Sequence, residues 1–171
     1  MDVVIPAELY LPSYVDALRR GWSPDNLRPE VAQIELETIE RSASDFLASL
    51  DDPDGRGAPI QLPDGSMVPR LPGFRRWMWD GEFCGSIGFR WQPGTTKLPE
   101  TCLGHIGYAV VPWKRGRGYA TAALAHMVDD VRRLQLDYVE ITTTPDNLAS
   151  QRVITANGGR FVEEFRSPHS H

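Results

Sequence analysis

A chain of 171 residues, 41% hydrophobic and 24% charged, holds enough apolar material for a single globular domain and has the composition of neither a disordered tail nor a membrane protein. Its net charge of −5 lacks the clustered cations that phosphate-backbone binding needs, which excludes nucleic acid as a first partner. Cys84 and Cys102 fit no ligand spacing and the N-terminus carries no leader pattern, so the expectation is a cytoplasmic protein with no structural metal and no membrane association.

In chain order, Ser13 stands at an N-cap position for a helix over 14–20, and Pro29 opens a second over 30–41 with Val31, Ile34, Leu36 and Ile39 toward one face. A third helix covers 44–50. Residues 51–74 then gather nine of the 29 glycines and prolines, together with Asp51, Asp52, Asp54 and Asp64. Such a stretch holds no long helix or central strand and reads as an acidic loop, either a substrate-side flap or a plain mobile connection.

The signal now turns to strand. Residues 75–79 and 83–91 flank the turn pair Asp80-Gly81 as a hairpin, and a third strand over 103–111 stops at Pro112. Tyr119, Ala123, Met127, Val131 and Leu134 recur at helical spacing and place a helix over 120–134. A fourth strand follows over 138–143. Asn147 caps a helix over 148–156 that Asn157-Gly158-Gly159 closes, and a last short strand covers 161–165. Trp77, Trp79 and Trp91 fill the sheet core, or one of them forms an apolar acceptor wall.

The residues richest in chemistry run from Val110 through Val111, Pro112, Trp113, Lys114, Arg115, Gly116, Arg117, Gly118, Tyr119 and Ala120 to Thr121. Here a strand feeds through a glycine-rich turn into a helix. Backbone N–H groups of such a turn and of the first helical turn have no intrahelical partner, and the helix dipole adds positive character, so an anion can dock there. Lys114, Arg115 and Arg117 add attraction. The alternative is a basic surface turn ahead of a well-capped helix. Neither the Walker pattern nor the dinucleotide fingerprint is present.

Arg115-Gly116-Arg117-Gly118-Tyr119-Ala120 resembles the pyrophosphate-binding pattern [QR]-x-x-G-x-[GA] of the GNAT N-acetyltransferase superfamily, and Asn147-Leu148-Ala149-Ser150 followed by Gly158-Gly159-Arg160-Phe161 is similar to its next motif. The resemblance spans roughly 77–165, and the Gly104-His105-Ile106-Gly107-Tyr108 stretch with the Asn-x-x-Ser form resembles the ribosomal-protein and small-amine acetyltransferase branch. It implies an α/β (α+β) fold: a mixed, mostly antiparallel twisted sheet with a splayed central strand pair and flanking helices. The division that follows is a single acyl-CoA N-acyltransferase domain over 1–171, with a helical acceptor side in 1–50, the acidic loop in 51–74 and the core in 75–165.

By the same resemblance, acetyl-CoA is the acyl donor and lies in the splay. Backbone groups near Val110 and Val111 pair with its pantetheine arm, N–H groups of Arg115, Gly116, Arg117, Gly118, Tyr119, Ala120 and Thr121 hold the pyrophosphate, and Asn147 and Ser150 line the other wall. The implied reaction moves an acetyl group to a primary amine of a small molecule or a protein N-terminus by direct attack in a ternary complex. The alternatives are a non-catalytic acyl-CoA-binding or sensor module, and an interaction domain whose basic turn binds another phosphate ligand.

Acyl transfer needs an unprotonated amine, a donor for the developing oxyanion and a proton for the departing thiolate. A backbone N–H near Val110 is the expected oxyanion donor. His105 is the first choice of base, although strand parity sets it with Gly107 and Ala109, and a buried structural histidine is the alternative. Glu140 and Glu82 rank behind it. Relatives in the family place a tyrosine seven residues after the motif asparagine, where this chain has Ile154, so Ser150 or a water supplies the proton, or none is needed. Tyr108 and Tyr119 are read as core packing or adenine-side contacts. Six residues follow Phe165, too few for the family's closing hairpin, so the chain is truncated or a second copy completes the sheet as a homodimer. His169 and His171 form an i, i+2 pair that is read as a solvated tail rather than a metal site.

Overall fold

A hairpin, β5 (Gly73–Trp79) and β6 (Phe83–Arg90), forms the spine of the main sheet, as its aromatic and β-branched content predicts. In the computed structural model, which describes residues 1–62 and 64–168, β7 (Ile106–Val110) pairs with β6. The outer edge of β5 takes β1 (Asp2–Val4) and β2 (Asp51–Asp52), and every one of these pairings is antiparallel. The histidine pair His169 and His171 lies outside the described residues.

Strand alternation sorts the core into two layers. On one face Trp77, Phe83, Ala109 and Val111 pack beneath α1 (Leu11–Arg19), α2 (Val31–Arg41) and α3 (Ala43–Ser49), with Tyr14 stacked on Trp77 at 4.3 Å between ring centroids. On the other face Phe74, Met78, Ile87, Phe89 and Ile106 meet Ala123, Leu124, Met127 and Val131 of α4 (Tyr119–Val131). Each fully buried side chain of this size contributes about 1.5–3 kcal/mol over its exposed form, so the i, i+3, i+4 stripe on α4 fixes that helix against the sheet. Beside α4 lies α5 (Leu148–Ala156).

Several expectations change in detail. Ser13 does not cap a helix: α1 begins at Leu11 with Pro12 in its first turn, and the Ser13 hydroxyl accepts the N–H of Phe83 at 2.8 Å instead. In α2 the buried residues are Ala32 and Glu35, while Ile34 is half exposed. The acidic stretch 51–74 is not structureless. It holds β2, a small hairpin of β3 (Ile60–Gln61) and β4 (Met67–Val68), and the first residues of β5. Asp52 organises its first turn by accepting the N–H groups of Arg56 and Gly57 at 2.8 Å each.

Residues 138–143 do not join the sheet as a strand. The His105 N–H donates to the Glu140 carbonyl at 2.7 Å, but among the described residues no backbone bond links 106–110 to this segment, and one bond does not make a ladder. Residues 103–105 lie against 140–142, and β7 beyond them carries no backbone bond to this segment, in keeping with the splay that the resemblance implies. Residues 161–165 form no strand either, and Phe161 and Val162 remain 79% and 86% exposed, so the edge expected to recruit a second copy is not built there. The helix over 120–134 ends at Val131, passes through a tight turn at Arg132–Leu134 and stops at Gln135, whose φ of 52° is left-handed.

Candidate functional site

The splay leaves the outer edge of β7 unpaired, and the ladder decides which groups face it. The Val111 N–H donates to the Cys84 carbonyl at 2.9 Å and the Arg90 N–H to the His105 carbonyl at 2.9 Å. Hydrogen-bonded pairs alternate along an antiparallel ladder, so Ala109 and Gly107 bond toward β6, while the N–H and C=O groups of Val110, Tyr108 and Ile106 point to the open edge. The Val110 carbonyl confirms this direction by accepting Arg115 Nε at 3.3 Å. Val111 differs from its expected role. Its N–H is taken by Cys84, its carbonyl accepts the Lys114 N–H at 3.0 Å and its side chain is fully buried, which leaves it nothing to offer a ligand.

Beyond Val111 the chain makes one tight turn, Pro112–Lys114, and enters the glycine loop. Gly116 and Gly118 have φ of 75° and 76°, a left-handed backbone that glycine adopts without steric cost, and a Cβ at either would meet nothing within 4 Å. This curl turns successive amides to the same side ahead of α4. The Arg115 N–H is used by the Pro112 carbonyl, but the six N–H groups from Gly116 through Arg117, Gly118, Tyr119 and Ala120 to Thr121 have no acceptor among the described residues. A cradle of free amides at a helix N-terminus is suited to an anionic ligand.

Of the three cations expected to attract that anion, only Arg115 and Arg117 are exposed. Lys114 is buried and its ammonium binds Asp80 Oδ1 at 2.9 Å, Asp80 Oδ2 at 3.1 Å and Glu82 Oε2 at 3.1 Å. Tyr119 is likewise occupied: its ring packs against the core layer beneath α4, one of its two expected roles, and its hydroxyl donates to Asp80 Oδ2 at 2.8 Å. Burial alone would raise the Asp80 pKa, but Lys114 and the Tyr119 hydroxyl override it and hold the carboxyl well below the usual carboxylate range. The Cys84 thiol nearby is pushed up to about 12 by burial and by Asp80, so it is not a nucleophile.

On the facing wall, the Asn147 side chain accepts the Ser150 N–H at 3.1 Å and caps α5 as its type predicts. Ser150 Oγ lies 2.7 Å from the Tyr108 hydroxyl, a pairing that sequence reading missed because the two residues sit on separate elements. Burial raises the Tyr108 pKa, against the opposing bond from Ser150. The two motifs are also tied: Asn157 Nδ2 donates to the Thr121 carbonyl at 3.1 Å. Ile154 packs into the core layer shared with α4.

His105 is buried and both ring nitrogens are occupied. Nδ1 accepts the Glu140 N–H at 2.9 Å, so Nε2 carries the hydrogen and donates it to the Thr96 carbonyl at 2.9 Å. Burial lowers its pKa. With its lone pair already used, the ring cannot take a proton from an amine without giving up Glu140. The structure thus places His105 as the pin between β7 and residues 138–143. Glu140 is exposed and meets His105 through its backbone, and Glu82 is tied to Lys114.

Of the tryptophans, Trp77 is core, Trp79 packs against the same layer and meets Tyr10 in a tilted contact at 4.7 Å between ring centroids, and Trp91 stacks on Phe89 and lines a concavity of about 410 Å³ with Gln92, Thr96, Leu134 and Asp137. That concavity adjoins the His105 end of β7, the opposite end from the glycine loop, and no candidate donor-binding residue lines it.

A family profile describing the GNAT acetyltransferase domain matches residues 23–160, and the chain belongs to that family. No curated protein matches it significantly. Among solved structures, the fold is similar to the microcin C7 self-immunity acetyltransferase MccE, determined with acetyl-CoA and AMP, at a TM-score of 0.54 and 13% identity over 91% of this chain and 76% of that one. It is also similar to a Vibrio cholerae protein described as a ribosomal-protein-serine acetyltransferase, at a TM-score of 0.52 and 14% identity over 91% of this chain and 77% of that one.

Proposed function

We propose that the protein is an acetyl-CoA-dependent N-acetyltransferase whose acceptor is a primary amine of a small molecule or a protein N-terminus. One observation carries the reading: six unsatisfied amides, Gly116 through Thr121, curl around two left-handed glycines at the end of an unpaired strand edge. The residues fit the donor. The amide cradle suits its pyrophosphate, Arg115 and Arg117 add charge at the rim, and the outward N–H of Val110 with the N–H and C=O of Tyr108 suits an amide-bearing arm laid along β7 as a partial strand.

Bound acetyl-CoA supplies an activated acetyl thioester. The chain's own part is to orient and to manage protons. The outward Val110 N–H is placed to stabilise negative charge on a carbonyl oxygen beside the edge. Ser150 Oγ, held by the Tyr108 hydroxyl, is the proton-bearing group of the opposite wall. An α-amine, with a pKa near 8, is partly unprotonated at neutral pH, whereas a lysine near 10.4 needs a base, and His105 is not free to act as one. A protein N-terminus or a small amine of similar pKa therefore suits this site better than a lysine side chain. Calorimetric titration with CoA, followed by thiol release across an amine panel, tests the reading. Absence of saturable CoA binding overturns it.

Two observations favour a second reading, a non-catalytic acyl-CoA-binding module: His105 is locked by backbone groups and Ile154 stands where a tyrosine is expected. Tight CoA binding without thiol release on any amine of the panel supports it over the first.

A further inference from the structure

We infer that Asp80 is a positioning residue of the amide cradle: one carboxylate on the β5–β6 turn holds both ends of the glycine loop and sets the direction of its free N–H groups. The inference rests on the reading of Gly116 to Thr121 as the site of the donor's pyrophosphate. Asp80 is on a different element from the loop, and its side chain is only 13% exposed. Both its oxygens bind Lys114, immediately before the loop, and Oδ2 also takes the hydroxyl of Tyr119, the first residue of α4. Within the loop, Arg117 Nη1 lies 3.8 Å from the same Oδ2. Four loop residues, Arg115 to Gly118, thus span two anchor points on one carboxyl group.

Charge explains why this arrangement does not repel an anion. Asp80 and Glu82 carry two negative charges, Lys114 and Arg117 two positive ones, so the cluster is neutral beneath the amides. Lys114 therefore contributes little direct attraction. It cancels the carboxylate that shapes the loop. Arg117 is half exposed and at the limit of ion-pair distance, and Asp80 keeps two closer partners, so Arg117 is free to turn toward a phosphate while the anchors stay in place. Two left-handed glycines make the loop pliable, and a pliable cradle needs external fixing to present its donors without an ordering cost on binding.

The test compares CoA with acetyl-pantetheine, which lacks the pyrophosphate, against the intact protein, Asp80→Asn and Tyr119→Phe. Calorimetry reads CoA affinity and NMR titration reads acetyl-pantetheine. Asp80→Asn is expected to weaken CoA binding by about tenfold or more, the loss of at least one charge-assisted contact, and Tyr119→Phe by several-fold, with acetyl-pantetheine affinity unchanged in both. Unchanged CoA affinity in a folded Asp80→Asn or in Tyr119→Phe overturns the inference, as does an equal loss for both ligands. Failure of the unaltered protein to bind CoA overturns instead the functional reading on which it rests.

Discussion

Tyr108 on β7 and Ser150 on α5 place their oxygens 2.7 Å apart, so a single hydroxyl pair joins the edge strand to the first turn of the second motif helix. Ser150→Ala is expected to lower turnover by about a hundredfold with a far smaller loss of CoA affinity, the signature of a lost proton donor on the wall of the donor site. Tyr108→Phe should produce a smaller loss, because Ser150 keeps its own hydrogen. Steady-state thiol release beside calorimetry separates the two effects.

The glycine loop offers a backbone prediction. An alanine at Gly118 must hold φ near 76°, at a cost of about 1 kcal/mol in folding stability, although its Cβ meets nothing. Gly118→Glu adds a negative charge beside the free amides and should abolish CoA binding while remaining folded. Urea denaturation and CoA titration of both variants check this.

His105 makes a pH prediction. Burial depresses its pKa below the ordinary 6.5, so the folded protein binds this proton later than the unfolded chain does as pH falls. Its contribution to stability is complete above about pH 6.5 and is lost as the pH drops through the lower folded value. His105→Gln should flatten that part of the stability profile relative to the unaltered protein. Its catalytic pH profile should retain the unaltered shape, since both ring nitrogens serve the backbone.

Beneath the N-terminal helices, Glu35 Oε1 accepts Arg75 Nη1 at 2.9 Å and Glu35 also accepts the Tyr14 hydroxyl. Burial, reinforced by Glu35, raises the Tyr14 pKa well above its usual value, so the hydroxyl stays protonated and continues to donate. Glu35→Leu leaves Arg75 only the Tyr14 hydroxyl, at 3.4 Å, in place of a carboxylate under α2 and should cost about 3 kcal/mol. Tyr14→Phe should cost about 1–3 kcal/mol. Thermal unfolding measures both.

The readable part of the fold was that governed by local chemistry. Asp80-Gly81 announced the hairpin, Asn147 its cap, and the glycine pattern the cradle, because each signal lies within a few residues of the structure it makes. What stayed hidden depends on partners distant in sequence. Asp80 looked like a turn residue, and nothing near it shows that Lys114 and Tyr119 converge on its carboxyl group. The same blindness left His105 open between a base and a buried structural histidine, since its two backbone acceptor and donor partners, Thr96 and Glu140, lie in loops. The acidic stretch misled for a related reason: glycine and proline content forbids long elements but not the two-residue strands found there. The strand expected over 138–143 has the right composition, but its ladder partner diverges after His105.

An open sheet edge is a hazard as well as a site, because unpaired N–H and C=O groups invite another strand. Along β7 the outward groups of Tyr108 and the N–H of Val110, which no strand pairs, form such an edge. A ligand that lies there covers the edge and, by mass action, stabilises the fold that presents it. Occupancy of the site and resistance to self-association are therefore linked, and protein kept with its donor should remain monodisperse at concentrations where the bare chain begins to pair.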